Sequence, residues 1–343
     1  MTEIGRWRWV GLSAFVHALL LIRYSSGLPL VHPLRAAVDR VNERGPFIGL
    51  VMAYSSEAQA VRSSGEFVPC SDIPMLDLYG ILISTPPTPN NHVDFEFLTV
   101  GRAKMSLNAG ITVQIVLDVF DVRGVVHFGI AGSANDSLSF GDVSVPKFLA
   151  FTGSWTWTKF NSAKGSSPDL FFGEYNIPSE SKNWLSSIEY KTEELFQVGK
   201  EMQYVFWLQV DPEWFQVAEN LQVALQRCVN ETYCLPETPK VVFGLKGSTD
   251  DVFVNNAAYR KFLFEEFGVS TIDEESAAVL MTAMSPGVPA IVFRGVSDLA
   301  GGEESWSSTD LSDLASINAF KVALEFIAAI GKEKHQLMPK EMI

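Results

Sequence analysis

The chain has 343 residues, 47% of them apolar and 19% charged, and 26 Lys and Arg against 40 Asp and Glu leave a net charge of -14. That apolar share closes a sizeable core without structural metals, and it excludes collagenous, low-complexity and disordered chains. The acidic balance disfavours nucleic acid and anionic membrane surfaces as partners, since both need basic protein, and leaves small neutral ligands and other proteins.

At the N-terminus, Arg6 and Arg8 precede an apolar run from Trp9 to Ile22, followed by Ser25, Ser26 and Gly27. This is the layout of a secretory signal, so residues 1–27 are expected to be removed; Arg23 ends a run too short to span a bilayer comfortably. Every later apolar run is broken by charge, Gly or Pro, which predicts no membrane span in a mature chain that is extracellular or vacuolar. In such an oxidising compartment Cys228 and Cys234 are expected to pair, while Cys70 stands alone. No His lies near the pair, so zinc is not expected. Asn230-Glu231-Thr232 and Asn135-Asp136-Ser137 fit the N-glycosylation pattern, and Asn230, in a predicted surface loop, is the expected acceptor.

Strand-like runs then recur at Phe47 to Ala53, Tyr79 to Ser84, Phe95 to Val100, Gly124 to Ile130, Gln203 to Val210, Lys240 to Leu245 and Pro289 to Val296. Most are continuously apolar, as buried strands of a parallel or mixed sheet are. Segments with one apolar face alternate with them: Ala103 to Phe120, Glu213 to Arg227, Ala257 to Phe267, Glu274 to Met284 and Leu314 to Ile330. The alternation predicts a single α/β domain over residues 45–331, with a tail at 332–343 and a long excursion at Thr152 to Ser181.

In such sheets the chemistry sits beyond the C-terminal ends of the strands. The segments there are Ala53-Tyr-Ser-Ser-Glu57, Gly129-Ile-Ala-Gly132, Asp251-Val-Phe-Val254, Asp273-Glu-Glu-Ser276 and Ser297-Asp298. Each has an ordinary structural alternative. Glu57, Glu274 and Glu275 are acids in first helical turns, where the dipole favours them; Asp298 is a loop or cap residue; Phe253 is core. Gly129 and Gly132 lack the third glycine of a dinucleotide fingerprint, so a Rossmann oxidoreductase fits poorly.

Taken in order, Gly49-Leu-Val-Met-Ala-Tyr-Ser-Ser-Glu57, Val100-Gly-Arg-Ala-Lys104, Phe128-Gly-Ile-Ala-Gly132, Asp251-Val-Phe253, Asp273-Glu-Glu-Ser-Ala277 and Arg294-Gly-Val-Ser-Asp298 resemble the nucleoside phosphorylase and nucleosidase superfamily. With the signal layout, the cysteine pair and Val126-His-Phe-Gly-Ile-Ala-Gly132, the likeness is to its plant branch of bark storage, wound-inducible and cytokinin-riboside phosphorylase proteins. The resemblance implies a three-layer α/β sandwich with a mixed, partly barrel-like central sheet, a homo-oligomer, and cleavage of the N-glycosidic bond of purine-type nucleosides, cytokinin ribosides among them. By resemblance, Asp298 is the acid that protonates the departing base, Glu275 holds the ribose, Phe253 stacks on the base, and Ala131, Gly132, Val254 and Glu274 border the substrate.

The nucleophile divides the family. Phosphorylases carry a basic residue where this chain has Glu57 and a small hydroxyl residue where it has Ile130; hydrolytic nucleosidases use a glutamate at the first place to activate water. Glu57 therefore reads as a general base for hydrolysis, while Arg102 and Gly129, with Lys104 nearby, are the candidates for holding phosphate as co-substrate. Both acceptors stay open, and no metal or organic cofactor is implied. Glu274 stands where the family has a methionine under the ribose, and is expected either to repel Glu275 or to point to solvent. From a different class comes the alternative of a vegetative storage protein that keeps the fold and has lost turnover.

Overall fold

In the computed structural model, the described residues are 27–66, 68–69, 81–85, 97–100, 104–159, 169–171, 187–231, 233–302 and 309–337. Residues 1–26, most of the segment expected to be a signal, Cys70, Arg102 and residues 338–343 lie outside them.

The elements begin with α1 (Arg35–Asn42), β1 (Phe47–Val51), α2 (Ser55–Ser64), β2 (Val68–Pro69), β3 (Ile81–Thr85), β4 (Phe97–Val100), α3 (Ser106–Val119), β5 (Val122–Ser133) and β6 (Val143–Phe151). After them come β7 (Trp155–Trp157), β8 (Asp169–Phe171), β9 (Ser187–Tyr190), β10 (Glu193–Leu195), β11 (Gln203–Val205), β12 (Leu208–Gln209) and α4 (Pro212–Glu219). The chain continues through β13 (Val241–Thr249), α5 (Ala257–Phe267), β14 (Val269–Asp273), α6 (Ser276–Met284), β15 (Ala290–Leu299) and α7 (Thr309–Leu337).

The main sheet runs β12-β6-β13-β14-β5-β1-β4-β3-β2, and β15 pairs with both β5 and β6. That second pairing closes a ring of β6, β13, β14, β5 and β15, the expected barrel-like part of a mixed sheet. β15 is parallel to β5 and antiparallel to β6, and β14 is antiparallel to β5. Closure explains why β5 and β15 are nearly continuous apolar runs: their neighbours leave no face to solvent. Helices pack in two groups, α3 with α6, and α7 with α2 and α4.

Several expected elements change. β6 lacks a continuous apolar run because Pro146 and Lys147 interrupt it, yet it is a central strand. The missing Pro N–H is absorbed where β13 slips register opposite Pro146, at Gly244 with φ 80°. β14, Val-Ser-Thr-Ile-Asp, alternates weakly and is buried throughout only because the ring closes on it. The run Gln203 to Val210 is two short strands in different sheets, β11 on β10 and β12 on β6. In the excursion, β7 and β8 each pair with β9, which follows it, in a small antiparallel sheet.

The helix expected to reach Arg227 stops at Glu219. Beyond it, Asn318 of α7 pins the chain: its Oδ1 accepts Gln226 N–H at 2.7 Å, and its Nδ2 donates to Gln226 O at 2.9 Å and Gly141 O at 3.0 Å. An extended segment held by a buried amide replaces the helical ladder. α7 is longer than expected, and its Ser312–Gly331 stretch is apolar enough to cross a membrane by length and composition. Lys321 and Glu325 still break that stretch, as expected of every later run, and its apolar window is 67% buried, with α7 packed on β15 and β5. Cys228 and Cys234 are joined by a disulfide, with Asn230 exposed between them.

Candidate active site

Loops at the C-terminal ends of β1, β5, β13, β14 and β15 surround a cavity of about 580 Å³, bordered by Tyr54, Ile130, Ala131, Gly132, Phe253, Val254, Glu274, Glu275 and Asp298 among others. Most residues expected at a substrate therefore do meet in one place. Phe253 stands 70% exposed at the rim, free to cover a planar ligand, whereas Val254 borders the cavity while packing with Leu263, Val269 and Ile272.

Asp298 sits near the end of β15. Ser297 Oγ donates to its Oδ2 at 2.8 Å, and burial pushes its carboxyl above the ordinary range, with the Ser297 bond opposing. A Cβ on Gly132 would stand 2.9 Å from Asp298 Oδ1, so the glycine keeps open the space around the acid. A carboxyl whose hold on its proton is strengthened, with one oxygen fixed by a neighbour, suits a proton donor to a leaving group.

Beneath the cavity lies a charge cluster centred on Arg294, a residue whose role sequence reasoning missed. Its guanidinium is fully buried, 3.0 Å from Asp273, 3.2 Å from Glu275 and 4.0 Å from Glu57. It also donates to Ser276 Oγ at 2.8 Å, Ile130 O at 3.2 Å and His127 Nε2. His127 Nδ1 donates to Val51 O at 2.9 Å, which leaves Nε2 as the acceptor, and burial followed by Arg294 pushes the imidazole down to about 3. A signal was available: an arginine inside a continuously apolar strand needs buried partners of opposite charge.

Three carboxylates share this one cation, and their environments separate them. Asp273 Oδ1 accepts from Thr249 Oγ1, Glu275 N and Ser276 N at 2.8, 3.0 and 2.9 Å; burial raises it, but Arg294 and these bonds outweigh burial and hold it low. Asp273 is thus the acid that caps α6. Glu275 has no capping role. Its Oε1 accepts Met105 N at 3.1 Å and its Oε2 faces Arg294, and burial, opposed by Arg294 and reinforced by Asp273, pushes it up to about 7.

Glu57, expected as the base that activates water, is tied to the backbone. Its Oε2 accepts Ala53 N at 2.7 Å and Tyr54 N at 2.9 Å, its Oε1 accepts Ile130 N at 2.9 Å, and the residue is wholly buried outside the cavity lining. Burial raises its pKa more than Arg294 and the three N–H groups lower it. Glu57 anchors the first turn of α2 to β5, with both of its oxygens engaged by backbone N–H groups. Gly129 is also away from the lining: a Cβ there would lie 2.3 Å from both Arg294 and Glu57, so this glycine admits the ion pair rather than phosphate. Glu274 is turned neither against Glu275 nor out to solvent; Tyr54 Oη donates to its Oε2 at 2.5 Å. Among the described residues no cluster of His, Cys, Asp and Glu is arranged to hold a metal ion.

The cluster carries a pH signature. Glu275 titrates at about 7 in the fold against an ordinary 4.5, so the native state holds a proton that the unfolded chain has released. Its contribution is full below about pH 4.5 and lost as pH rises through 7. His127 acts oppositely: its contribution is full above its ordinary 6.5 and lost as pH falls towards 3. Relative to wild type, Glu275→Gln is expected to gain stability between pH 4.5 and 7, read as urea midpoints across that range; a constant difference would show that Glu275 does not titrate there.

The order of these residues and the ring-closed sheet invite comparison with known proteins. The family model described as the phosphorylase superfamily matches residues 105–328, more than half of the chain. The chain belongs to the phosphorylase superfamily. Bark storage protein A of Populus deltoides is 37% identical over 306 residues, covering 88% of this chain and 95% of that protein. The 5'-methylthioadenosine/S-adenosylhomocysteine nucleosidase of Treponema pallidum (strain Nichols) is 27% identical over 203 residues, 59% of this chain and 65% of that protein. Among solved structures, a mutant of the Helicobacter pylori MTAN with 5'-methylthioadenosine in the active site superposes with a TM-score of 0.54 at 17% identity, over 82% of this chain and 98% of that one. At that identity the last likeness speaks for the fold alone. This superfamily member thus has relatives named for storage and relatives named for nucleoside cleavage.

Proposed function

We propose that this phosphorylase-superfamily protein cleaves the N-glycosidic bond of purine-type nucleosides, cytokinin ribosides included, with water as the favoured acceptor. The observation that carries this reading is the placement of Asp298, whose pKa burial raises, and Glu275 on one cavity whose described lining holds five acidic side chains and no Lys or Arg. Asp298 gives its proton to the base as the bond breaks; Glu275, held by Met105 N and Arg294, orients the ribose hydroxyls and stabilises the developing positive charge on the sugar. Departure of a protonated base needs little push from the nucleophile, so water can act without Glu57, its proton passing to a cavity carboxylate. Phosphate would enter a lining of like charge.

A second reading is supported by the 37% identity to a bark storage protein over nearly its whole length: a storage protein that keeps the fold with little or no turnover. Under either reading we place the protein on the secretory route, extracellular or vacuolar, supported by the Arg6 to Gly27 layout and the Cys228–Cys234 disulfide. We also infer a homo-oligomer, since Leu107, Ile111 and Ile115 form an exposed apolar stripe along α3.

The test is to incubate the mature chain with adenosine, inosine and a cytokinin riboside, with and without phosphate, and to measure base, ribose and ribose 1-phosphate. Free ribose released independently of phosphate is the expected result. Phosphate-dependent ribose 1-phosphate would make the protein a phosphorylase, and no release from folded protein would favour storage.

A further inference from the structure

Five acids border the cavity, and four of them already have a place: Asp273 caps α6, Glu275 meets Arg294, Asp298 accepts the Ser297 hydroxyl, and Asp313 belongs to α7. Glu274 remains. It is half-buried, and its backbone is fixed where Ser106 Oγ donates to Glu274 O at 3.3 Å. Its Oε2 accepts Tyr54 Oη at 2.5 Å, a bond between the loop after β1 and the end of β14, while Oε1 has no hydrogen-bond partner among the described residues. Burial, then the bond to Glu274, pushes the Tyr54 phenol far up, so it remains a donor and keeps the carboxylate in place. The Lys104 ammonium stands 5.2 Å from the centre of the Tyr54 ring and makes no ion pair with Glu274.

A carboxylate so held, at the wall of a ligand cavity and next in sequence to the residue that meets the ribose, has one oxygen free for a ligand. We propose that Tyr54 and Glu274 form a charge filter at the sugar end of the cavity, which favours nucleosides bearing a protonated amine on the sugar and rejects those bearing a carboxylate or phosphate there. An ammonium would complete Glu274 with a charge-assisted hydrogen bond, whereas an anion would meet Glu274 and Glu275 in a described lining that holds no Lys or Arg, with Lys104 outside it over the Tyr54 ring. The inference rests on the nucleoside reading and adds the class of sugar substituent to it.

Calorimetry on the full mature chain carrying Asp298→Asn, so that ligand turnover is slowed, tests it with adenosine, 5'-amino-5'-deoxyadenosine and adenosine 5'-carboxylic acid. The amine is expected to bind about tenfold to a hundredfold more tightly than adenosine, the range of a hydrogen bond to a charged group, and the acid at least about tenfold more weakly. Adding Glu274→Gln, nearly isosteric, is expected to collapse both differences, each taken relative to adenosine on the same variant; adding Tyr54→Phe, which frees the carboxylate to move, is expected to shrink them. Equal binding of the three ligands overturns the filter and leaves the nucleoside reading intact. Discrimination that survives Glu274→Gln overturns the assignment to Glu274, and discrimination untouched by Tyr54→Phe removes Tyr54 from it. If folded protein binds none of the three, the nucleoside reading fails and the filter with it.

Discussion

Base release by Asp298→Asn is expected to fall by about a hundredfold to ten-thousandfold, the range supplied by a positioned general acid, while nucleoside binding and melting temperature change little. Asn keeps the size of the side chain and an oxygen that can accept the Ser297 hydroxyl, which donates to Asp298 at 2.8 Å. What it lacks is the transferable proton. The loss should therefore appear in kcat more than in KM, since the missing interaction is made only as the bond breaks. It should also lessen for nucleosides whose base leaves readily as an anion, because those need no proton. A variant with wild-type turnover would remove Asp298 from the chemistry, and a variant that unfolds would be separated from one that is inactive by its circular dichroism and melting curve.

Arg294→Met is expected to cost about 3–5 kcal/mol of stability, the cost of leaving buried charge without its partner. Arg294 is fully buried and lies within 4.0 Å of Asp273, Glu275 and Glu57. Without it those carboxyls must keep protons that the unfolded chain gives up, so their folded pKa values rise above the unfolded ones. Stability from such groups is present at low pH and lost as pH rises, so the variant should recover part of its deficit near about pH 4 and be weakest near neutrality. Arg294→Lys should not restore wild-type stability at pH 7, because a single ammonium cannot donate at once to Ser276, Ile130 and His127 as the guanidinium does. Urea midpoints of both variants across pH check this; a neutral Arg294→Met would mean that the cluster is not held by charge.

Some of the molecule was legible because its signals are local. The helix Ala257–Phe267 has the expected bounds since both ends are marked within a residue: Asn256 Oδ1 accepts Tyr259 N, and Gly268 adopts φ 71° after the last turn. β5 and β15 were visible as apolar runs. β6 was not, because Pro146 and Lys147 argue locally against a central strand, and only the bulge in β13 resolves the conflict. The helix after Asp211 is shorter than its apolar pattern suggests, and the partner that holds the chain beyond it, Asn318, lies 92 residues past Gln226.

The candidate site divides in the same way. Asp298, Glu275, Phe253 and Gly132 could be named from their order along the chain, and they do border one cavity. Glu57 could be named too, but not its role, and the same holds for Gly129.

The sequence by itself determined the superfamily, the alternation of strands and helices and the set of acids available for chemistry, because apolar periodicity, caps and short motifs are written in neighbouring residues. Only the tertiary structure decided what each acid does. Glu57 turns inward because three backbone N–H groups converge on it, Glu275 and Asp273 differ because only Asp273 caps a helix, and Glu274 faces Tyr54 across 220 residues. A carboxyl's protonation and reach are set by burial and by partners that the fold brings from far along the chain, and neither is encoded in the residues beside it.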